Sequence, residues 1–481
     1  MDFICLPDEL IEIVIQGTMP EGFESLALTC KRIFAICNPY IEHHNLLRSK
    51  FDDFNFSNGE TDMSTAILSA WDLIKCVGNE PVVARYIRHA DLTLDSSHLR
   101  RRAYDHDLQA HCPPSAVNLL EHSPYLKQAH IDWREYMKCI EQDLEWARYS
   151  QRATAFLLTL LPNVETLRLP YNWRPASIPD PLVNTIVSNA KQTKQSLHVK
   201  PSLGLVNKLA TYAPPLSRSP LHLIGPFLAL PHVRSFRGSD TEYMVTKDTF
   251  GMGYSEIELI ASLKGSYQGA DLGQTLETVH LDGARMDDVG IADLLKYTKQ
   301  LKTLRYSHSA VLRDTEWDMA RFVEAIMREA GSHLEELSVS IIDPPRFFIP
   351  KKPSLRNFDR LRKLELPLEI VECNRFYIAL SEENQLSIGQ LVPASVAQLS
   401  LITSGMQEHA DILESLFRRF ADERASMLPA LEEVQLLCPE EGDDSHQMQC
   451  SKLGHELENA GVKLYQDIAS SSGYLTWDGE F

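Results

Sequence analysis

The sequence has no apolar run long enough to cross a bilayer. Its longest apolar cluster, Ala155 to Leu161, is broken by Thr159 and falls far short of the roughly 20 residues a spanning helix needs. Basic residues are the minority: 47 Lys+Arg stand against 66 Asp+Glu, for a formal net charge of −19. That balance argues against nucleic acid as a partner, because such binding rests on lysines and arginines neutralising phosphates. The opening MDFICLPDE puts an aspartate where a basic n-region belongs and lacks a sustained apolar stretch, which predicts no secretory leader. Nine cysteines are scattered from Cys5 to Cys450 without a C-x-x-C pair. Reduced thiols in the cytoplasm and/or nucleus are therefore expected, not a disulfide framework.

Catalytic signatures are also missing. Neither G-x-x-x-x-G-K-[ST] nor G-x-G-x-x-G occurs, so the glycines between Phe250 and Gly273 predict a long loop and not a nucleotide cradle. No G-x-S-x-G elbow presents a nucleophile. His43 and His44 are adjacent, so they do not share a helix face as i, i+4 ligands would; His106 and His111 beside Cys112 have no zinc spacing. Glu440, Glu441, Asp443 and Asp444 read as a solvated acidic loop. No metal, no cofactor and no enzyme activity are expected. An unrecognised enzyme is the outlying alternative.

What is present begins at Leu6. Leu6-Pro7 ahead of Leu10, Ile13 and Val14 predicts a helix entered through proline, whose missing N–H has no partner in a first turn anyway. Asp8 and Glu9 then sit where the helix dipole favours negative charge. Gly17, Pro20 and Gly22 interrupt the pattern. A second helix is expected from Phe23, with Leu26, Ala27, Cys30, Ile33 and Phe34 on one stripe, and a further one from Tyr40 to Phe51. Short helices of this kind expose more apolar surface than they hide in each other and must dock on something. Two surfaces fit: their own domain, as in an ordinary N-terminal hairpin, or a partner.

Leu6-Pro7-x-Glu9-Leu10 with Ile13, then Leu26-Ala27-Leu28-Thr29-Cys30-Lys31-Arg32 and Pro39-Tyr40, resembles the F-box, the helical module that binds the Skp adaptor of SCF ubiquitin ligases. The chain differs from the family pattern at Gln16-Gly17-Thr18, where an apolar helix end is usual, and at Tyr40, where tryptophan is frequent. The resemblance implies an adaptor-binding set of Leu6, Pro7, Leu10, Ile13, Phe23, Leu26, Leu28, Cys30 and Phe34, with the cullin reached through the adaptor.

Downstream, after a polar connector at Asp52 to Asp62 and a helix through Ala66, Ile67, Ala70, Leu73 and Ile74, a hexamer of the shape L-x-x-L-x-L recurs. A first strand is expected around Leu92 and Leu94. The hexamers begin at Leu126, Val164, Val233 (truncated), Leu276, Leu301, Leu334, Leu361, Val396 and Leu431, with a degenerate copy at Ser196 to Lys200. Helix-compatible stretches intervene, clearest at Asp287 to Thr298 and Glu316 to Ala330. Strand and helix alternating every roughly 25 to 43 residues is the pattern of an α/β solenoid, in which stacked units bury a shared core. A doubly wound α/β domain is the alternative, disfavoured because the strands are amphipathic and not apolar throughout.

F-box, connector and irregular repeats in that order resemble the fungal F-box/leucine-rich-repeat proteins. The class implied is α/β: an all-helical module at 1–51, a connector and helix at 52–85, a divergent leucine-rich-repeat domain with insertions and a curved parallel sheet at 86–469, and a tail at 470–481. The implied function is a non-catalytic receptor that captures a protein client; a repeat scaffold outside ubiquitination is the alternative. If alternate strand residues face opposite sides, the x positions form an open face. That face is basic first (Thr166, Arg168, Ser235, Arg237, Thr278, His280, Thr303, Arg305) and acidic later (Glu336, Ser338, Lys363, Glu365, Gln398, Ser400, Glu433, Gln435). Arg168, Arg237, His280 and Arg305 are the candidate client-binding residues, suited to an acidic or phosphorylated segment because arginine grips phosphate bidentately.

Overall fold

The computed structural model describes residues 6–56, 67–95, 113–146, 148–173, 181–192, 200–211, 219–220, 225–239, 241–243, 273–309, 317–343, 354–372, 387–403, 407–438 and 444–468. The chain forms two compact units, one of residues 1–212 with 226–233 and one of 213–225 with 234–481.

The first unit opens with α1 (Asp8–Thr18), entered through Pro7 with Asp8 and Glu9 in its first turn. It continues with α2 (Phe23–Ala27) and α3 (Lys31–Phe51). The expected helix from Phe23 through Phe34 is broken: Cys30 is extended (φ −160°, ψ 163°) and caps a new helix, while the Thr29 hydroxyl bonds back to the Leu26 carbonyl at 2.7 Å. The new helix then runs unbroken through Pro39, joining what the sequence pattern separates. Where a connector is expected, Asp53–Asn55 forms β1, so the helical module leads directly into the sheet. α4 (Ala70–Asn79) starts at Ser69, whose hydroxyl accepts from the Asp72 amide at 3.3 Å. Replacing that cap, Ser69→Ala, is expected to cost about 1 kcal/mol, read as a lower chemical-denaturation midpoint at unchanged slope. α5 (Val83–Tyr86) follows.

β2 (His89–Asp91), β3 (Thr166–Leu169) and β4 (Lys208–Thr211) extend β1 in sequence order, all parallel. The strand expected around Leu92 and Leu94 is thus β2, which lies just ahead of them. The hexamer at Leu126 is not a strand. Ser123 caps a helix at Pro124–Gln128, one of four with Pro114–Glu121, Trp133–Glu145 and Gln151–Leu158, and proline at the first helical position favours that start. β4 carries a repeat that the sequence reading passed over, Val206-x-x-Leu209, with both residues fully buried. The degenerate copy at Ser196 to Lys200 lies outside the described residues, save Lys200.

In the second unit the main ladder is β6 (Ser235–Ser239), β8 (Thr278–Met286), β9 (Thr303–Ser309), β10 (Glu336–Asp343), β11 (Lys363–Pro367), β12 (Gln398–Ile402), β13 (Glu433–Cys438) and β14 (Lys463–Ile468), every neighbouring pair parallel. Two short strands, β5 (Ser219–Pro220) and β7 (Thr241–Tyr243), join at β8. The ladder follows chain order without reversal. A doubly wound sheet reverses at a switch point, so the order favours the stacked strand-helix repeat. One bond marks the repeat: the amides of Glu277, Lys302, Glu335, Arg362, Ala397, Glu432 and Lys463 each donate to the equivalent carbonyl one strand earlier, at 2.8–3.0 Å. Leu276, Leu301, Leu334, Leu361, Val396 and Leu431, the first residues of the hexamers, are all fully buried.

Helices cross between strands, as parallel pairing requires. Asp288–Leu295 is capped by Asp287 and Met319–Ala330 by Asp318, and these two lie against each other. Gln407–Phe417 and Asp444–Asn459 pack likewise. Of the glycine-rich segment only Gly273 is described. At φ +70° it takes a backbone conformation that favours glycine, and a Cβ there would meet Thr298 at 3.0 Å. The Pro-rich 213–226 and 344–353, apart from residues 219–220 and 225–226, and the tail at 470–481 lie outside the described residues.

Candidate functional site

α1 is apolar on two sides. Ile11 and Ile15 point into the unit and are fully buried, whereas Leu10, Ile13 and Val14 are 47%, 64% and 37% exposed. Leu28 (81%), Phe34 (47%) and Leu46 (60%) add to the exposed set. A helix with apolar residues on more than one side suits a place between two bodies, and among the described residues Leu10, Ile13 and Val14 are left exposed. Arg32 reaches Asp8 and the Leu6 carbonyl while Gln16 bonds the Tyr40 hydroxyl at 3.2 Å, so α1 and α3 run side by side in the same sense, with Leu10 and Phe34 at one level. That last bond joins two positions where the sequence departs from the F-box pattern.

Of the residues named from the sequence, Leu10, Ile13, Leu28 and Phe34, with exposed Pro7, stand on this outer side; Leu6, Leu26 and Cys30 are half-buried. Phe23 is a correction. It is 2% exposed and stacks on the His44 ring with centroids 4.6 Å apart, so it supports the module from inside. Val14 and Leu46, outside the set named from the sequence, are exposed as well. Leu46 sits beside Leu47, which is buried, and adjacent positions on a helix face different ways.

The module is fixed to its unit by polar contacts. Glu21, in the turn after α1, accepts from Asn163 at 2.8 Å and pairs with Arg85 at 2.6 Å and Lys200 at 3.3 Å. Burial works against that carboxylate, but its backbone bond, Asn163 and Arg85 together hold its pKa down. Inside, His44 Nδ1 shares a 2.7 Å hydrogen bond with the Tyr86 hydroxyl. Burial lowers the His44 pKa in spite of Glu24, so the ring serves as a neutral tie.

The alternation expected of the strands holds. Thr166, Arg168, Ser235, Arg237, Thr278, His280, Thr303 and Arg305 are all half-buried, with Leu167, Phe236, Val279 and Leu304 between them buried. Arg168 belongs to the first unit, where it pairs with Asp91 at 3.0 Å. Arg237, His280 and Arg305 are register neighbours in the second unit. Arg237 pairs with Asp282 at 2.9 Å and Arg305 approaches Glu336 at 3.8 Å. His280 carries no charge at neutral pH, since burial and the two flanking arginines push it down to about 4. Each guanidinium therefore already faces a carboxylate.

Further along, the same side of β9 to β14 encloses a depression of about 340 Å³. Glu365 is almost wholly enclosed in its floor, one oxygen accepting the Ser338 hydroxyl at 2.6 Å. Burial drives this carboxyl's pKa upward, opposed by Ser338 and Arg305.

Behind the sheet, His308 lies flat on Trp317 (3.8 Å, 4° between planes) with Nδ1 2.9 Å from the Tyr306 hydroxyl. Burial, helped by Arg285, drives it down to about 3. With a folded pKa below the ordinary 6.5, the unfolded chain takes up the proton first. Stability is then full above pH 6.5 and falls as pH drops towards 3. At pH 5 the loss from His308 is about 2 kcal/mol, with His280 adding in the same direction. Denaturation midpoints at pH 7.5 and 5.0 check this: His308→Gln should show a smaller drop than the wild type.

His43 bonds Glu80 at 2.6 Å, and no group of three or more potential metal ligands gathers among the described residues. His106, His111, Cys112, Glu440, Glu441 and Asp443 lie outside them; Asp444 opens the helix Asp444–Asn459. No helix among the described residues is long and apolar enough to cross a membrane. No family model matches the chain, and no curated protein does.

Proposed function

We propose that this chain is the substrate-recognition subunit of an SCF-type ubiquitin ligase. Its N-terminal helices dock the Skp adaptor, and its repeats hold a protein client. One observation carries the reading: within the stretch that resembles an F-box, Leu10, Ile13, Leu28 and Phe34 face solvent while the opposite sides of the same helices form the core. Exposed large apolar side chains gathered on one small module support an interaction site there. The ties from Glu21 and His44 to the rest of the unit suit this role, because a receptor works by holding client and ligase at fixed proximity. Ubiquitin transfer belongs to the partner subunits, reached through adaptor and cullin, and the setting is cytoplasmic or nuclear.

The test is gel filtration of the purified chain with purified Skp adaptor. Co-elution at micromolar concentrations supports the receptor. Separate elution at tens of micromolar would leave the repeat scaffold as the better reading.

A further inference from the structure

The depression on β9 to β14 stands apart from the apolar face of the helices and has its own chemistry. Its lining includes the carboxylates Glu336, Glu365, Glu433 and Asp467 against the cations Arg305 and Lys363. Both cations are drawn to one carboxylate: Lys363 lies 3.2 Å and Arg305 3.8 Å from Glu336. Glu433 and Asp467 accept from Gln398 and Gln435, uncharged amides that leave the negative charge in place. Glu365 is 7% exposed, yet its only hydrogen bond among the described residues is from the Ser338 hydroxyl, and no cation there lies within ion-pair distance. An enclosed carboxylate on which Arg305 acts only from beyond ion-pair distance is costly, and a cation supplied from outside relieves the cost.

Register sets the shape of what fits. Glu365, Ser400, Gln435 and Tyr465 sit opposite one another on β11, β12, β13 and β14, and adjacent strands lie roughly 4.8 Å apart. Glu365 and the Tyr465 end of the groove are thus separated by about 14 Å, too far for one side chain to span. Tyr465 is 44% exposed beside Asp467 and offers a ring face to a second cation.

We infer that this groove binds an extended segment of a partner protein carrying two basic side chains, one neutralising Glu365 and the other lodged between Tyr465 and Asp467. The inference concerns the groove alone and stands whether or not the helices dock an adaptor. The acidic balance of the chain favours encounter with such a segment.

The probe is a capped peptide with two arginines separated by three alanines, which puts both on one face of an extended chain about 14 Å apart, flanked by alanines and titrated calorimetrically into the full chain. Its partner probe has both arginines replaced by citrulline, which keeps the shape and removes the charge. The arginine peptide should bind tenfold or more tighter than the citrulline peptide. Glu365→Gln, which leaves a group able to accept from Ser338, should weaken it by tenfold or more. Asp467→Asn lies at the open end, where folding is not at risk, and should also weaken it. Glu458→Gln, on the exposed side of the helix Asp444–Asn459, should not. Equal binding of the two peptides, no binding of either, or full affinity in both Glu365→Gln and Asp467→Asn would overturn the inference.

Discussion

The double variant Leu10→Asp with Leu28→Asp is expected to lose adaptor binding by at least about 100-fold, or about 2.7 kcal/mol, while remaining folded. The two halves of that statement have separate causes. Leu10 and Leu28 are 47% and 81% exposed, so a carboxylate at either is solvated in the free chain. Surface changes of this kind usually shift stability by no more than about 0.5 kcal/mol. On docking, the same carboxylates must leave water against an apolar partner with nothing to pair them. Calorimetric titration with purified adaptor, alongside thermal unfolding of both proteins, separates the terms. Ile11→Asp, one position along the same helix, should instead unfold the module, because Ile11 is fully buried. Wild-type affinity in the double variant would remove the apolar face from the receptor reading.

Asp95→Ala is expected to cost the first unit about 3 kcal/mol. Asp95 is 4% exposed just beyond β2. One of its oxygens accepts from the Ala70 amide at 3.0 Å, at the start of α4, and the other from the Thr154 hydroxyl at 2.7 Å. It therefore joins the strand end to two helices, and its negative charge sits at the end of α4 that favours it. Truncation leaves buried donors without this acceptor, which costs more than the loss of a solvent-exposed bond. Urea unfolding gives the number. Asp95→Asn, which keeps an acceptor oxygen, should recover part of it.

The parts legible in sequence share one property: each follows from a local period. Helices form within the expected stretches Asp287 to Thr298 and Glu316 to Ala330, capped by Asp287 and Asp318, and an aspartate before an apolar stripe is a local signal. The hexamers from Val164 to Leu431 became strands with their leucines inward because alternation along a strand needs only a few residues to declare itself. The hexamer at Leu126 failed for the same reason. Six residues of the right shape do not outweigh a Ser-Pro helix start immediately ahead of them. β1 offered only Asp53-Phe54-Asn55, too short for any period, and owes its existence to pairing with β2.

By itself the sequence determined the class of the protein: α/β, with helices at the start and amphipathic strands recurring after them, acidic, and without a motif for catalysis. Composition and periodicity carry that much because they depend on each residue's own chemistry and its near neighbours. Only the tertiary structure decided which apolar residues remain uncovered. Leu10 and Ile11 are alike in sequence; packing of the helices buries one and leaves the other exposed. It also decided what the charges are worth. Arg237 and Asp282 stand 45 positions apart and meet at 2.9 Å, while Glu365, one carboxylate among many, is enclosed with no cation at ion-pair distance among the described residues. Burial and pairing are long-range properties, set by which strands lie side by side, and no local period encodes them.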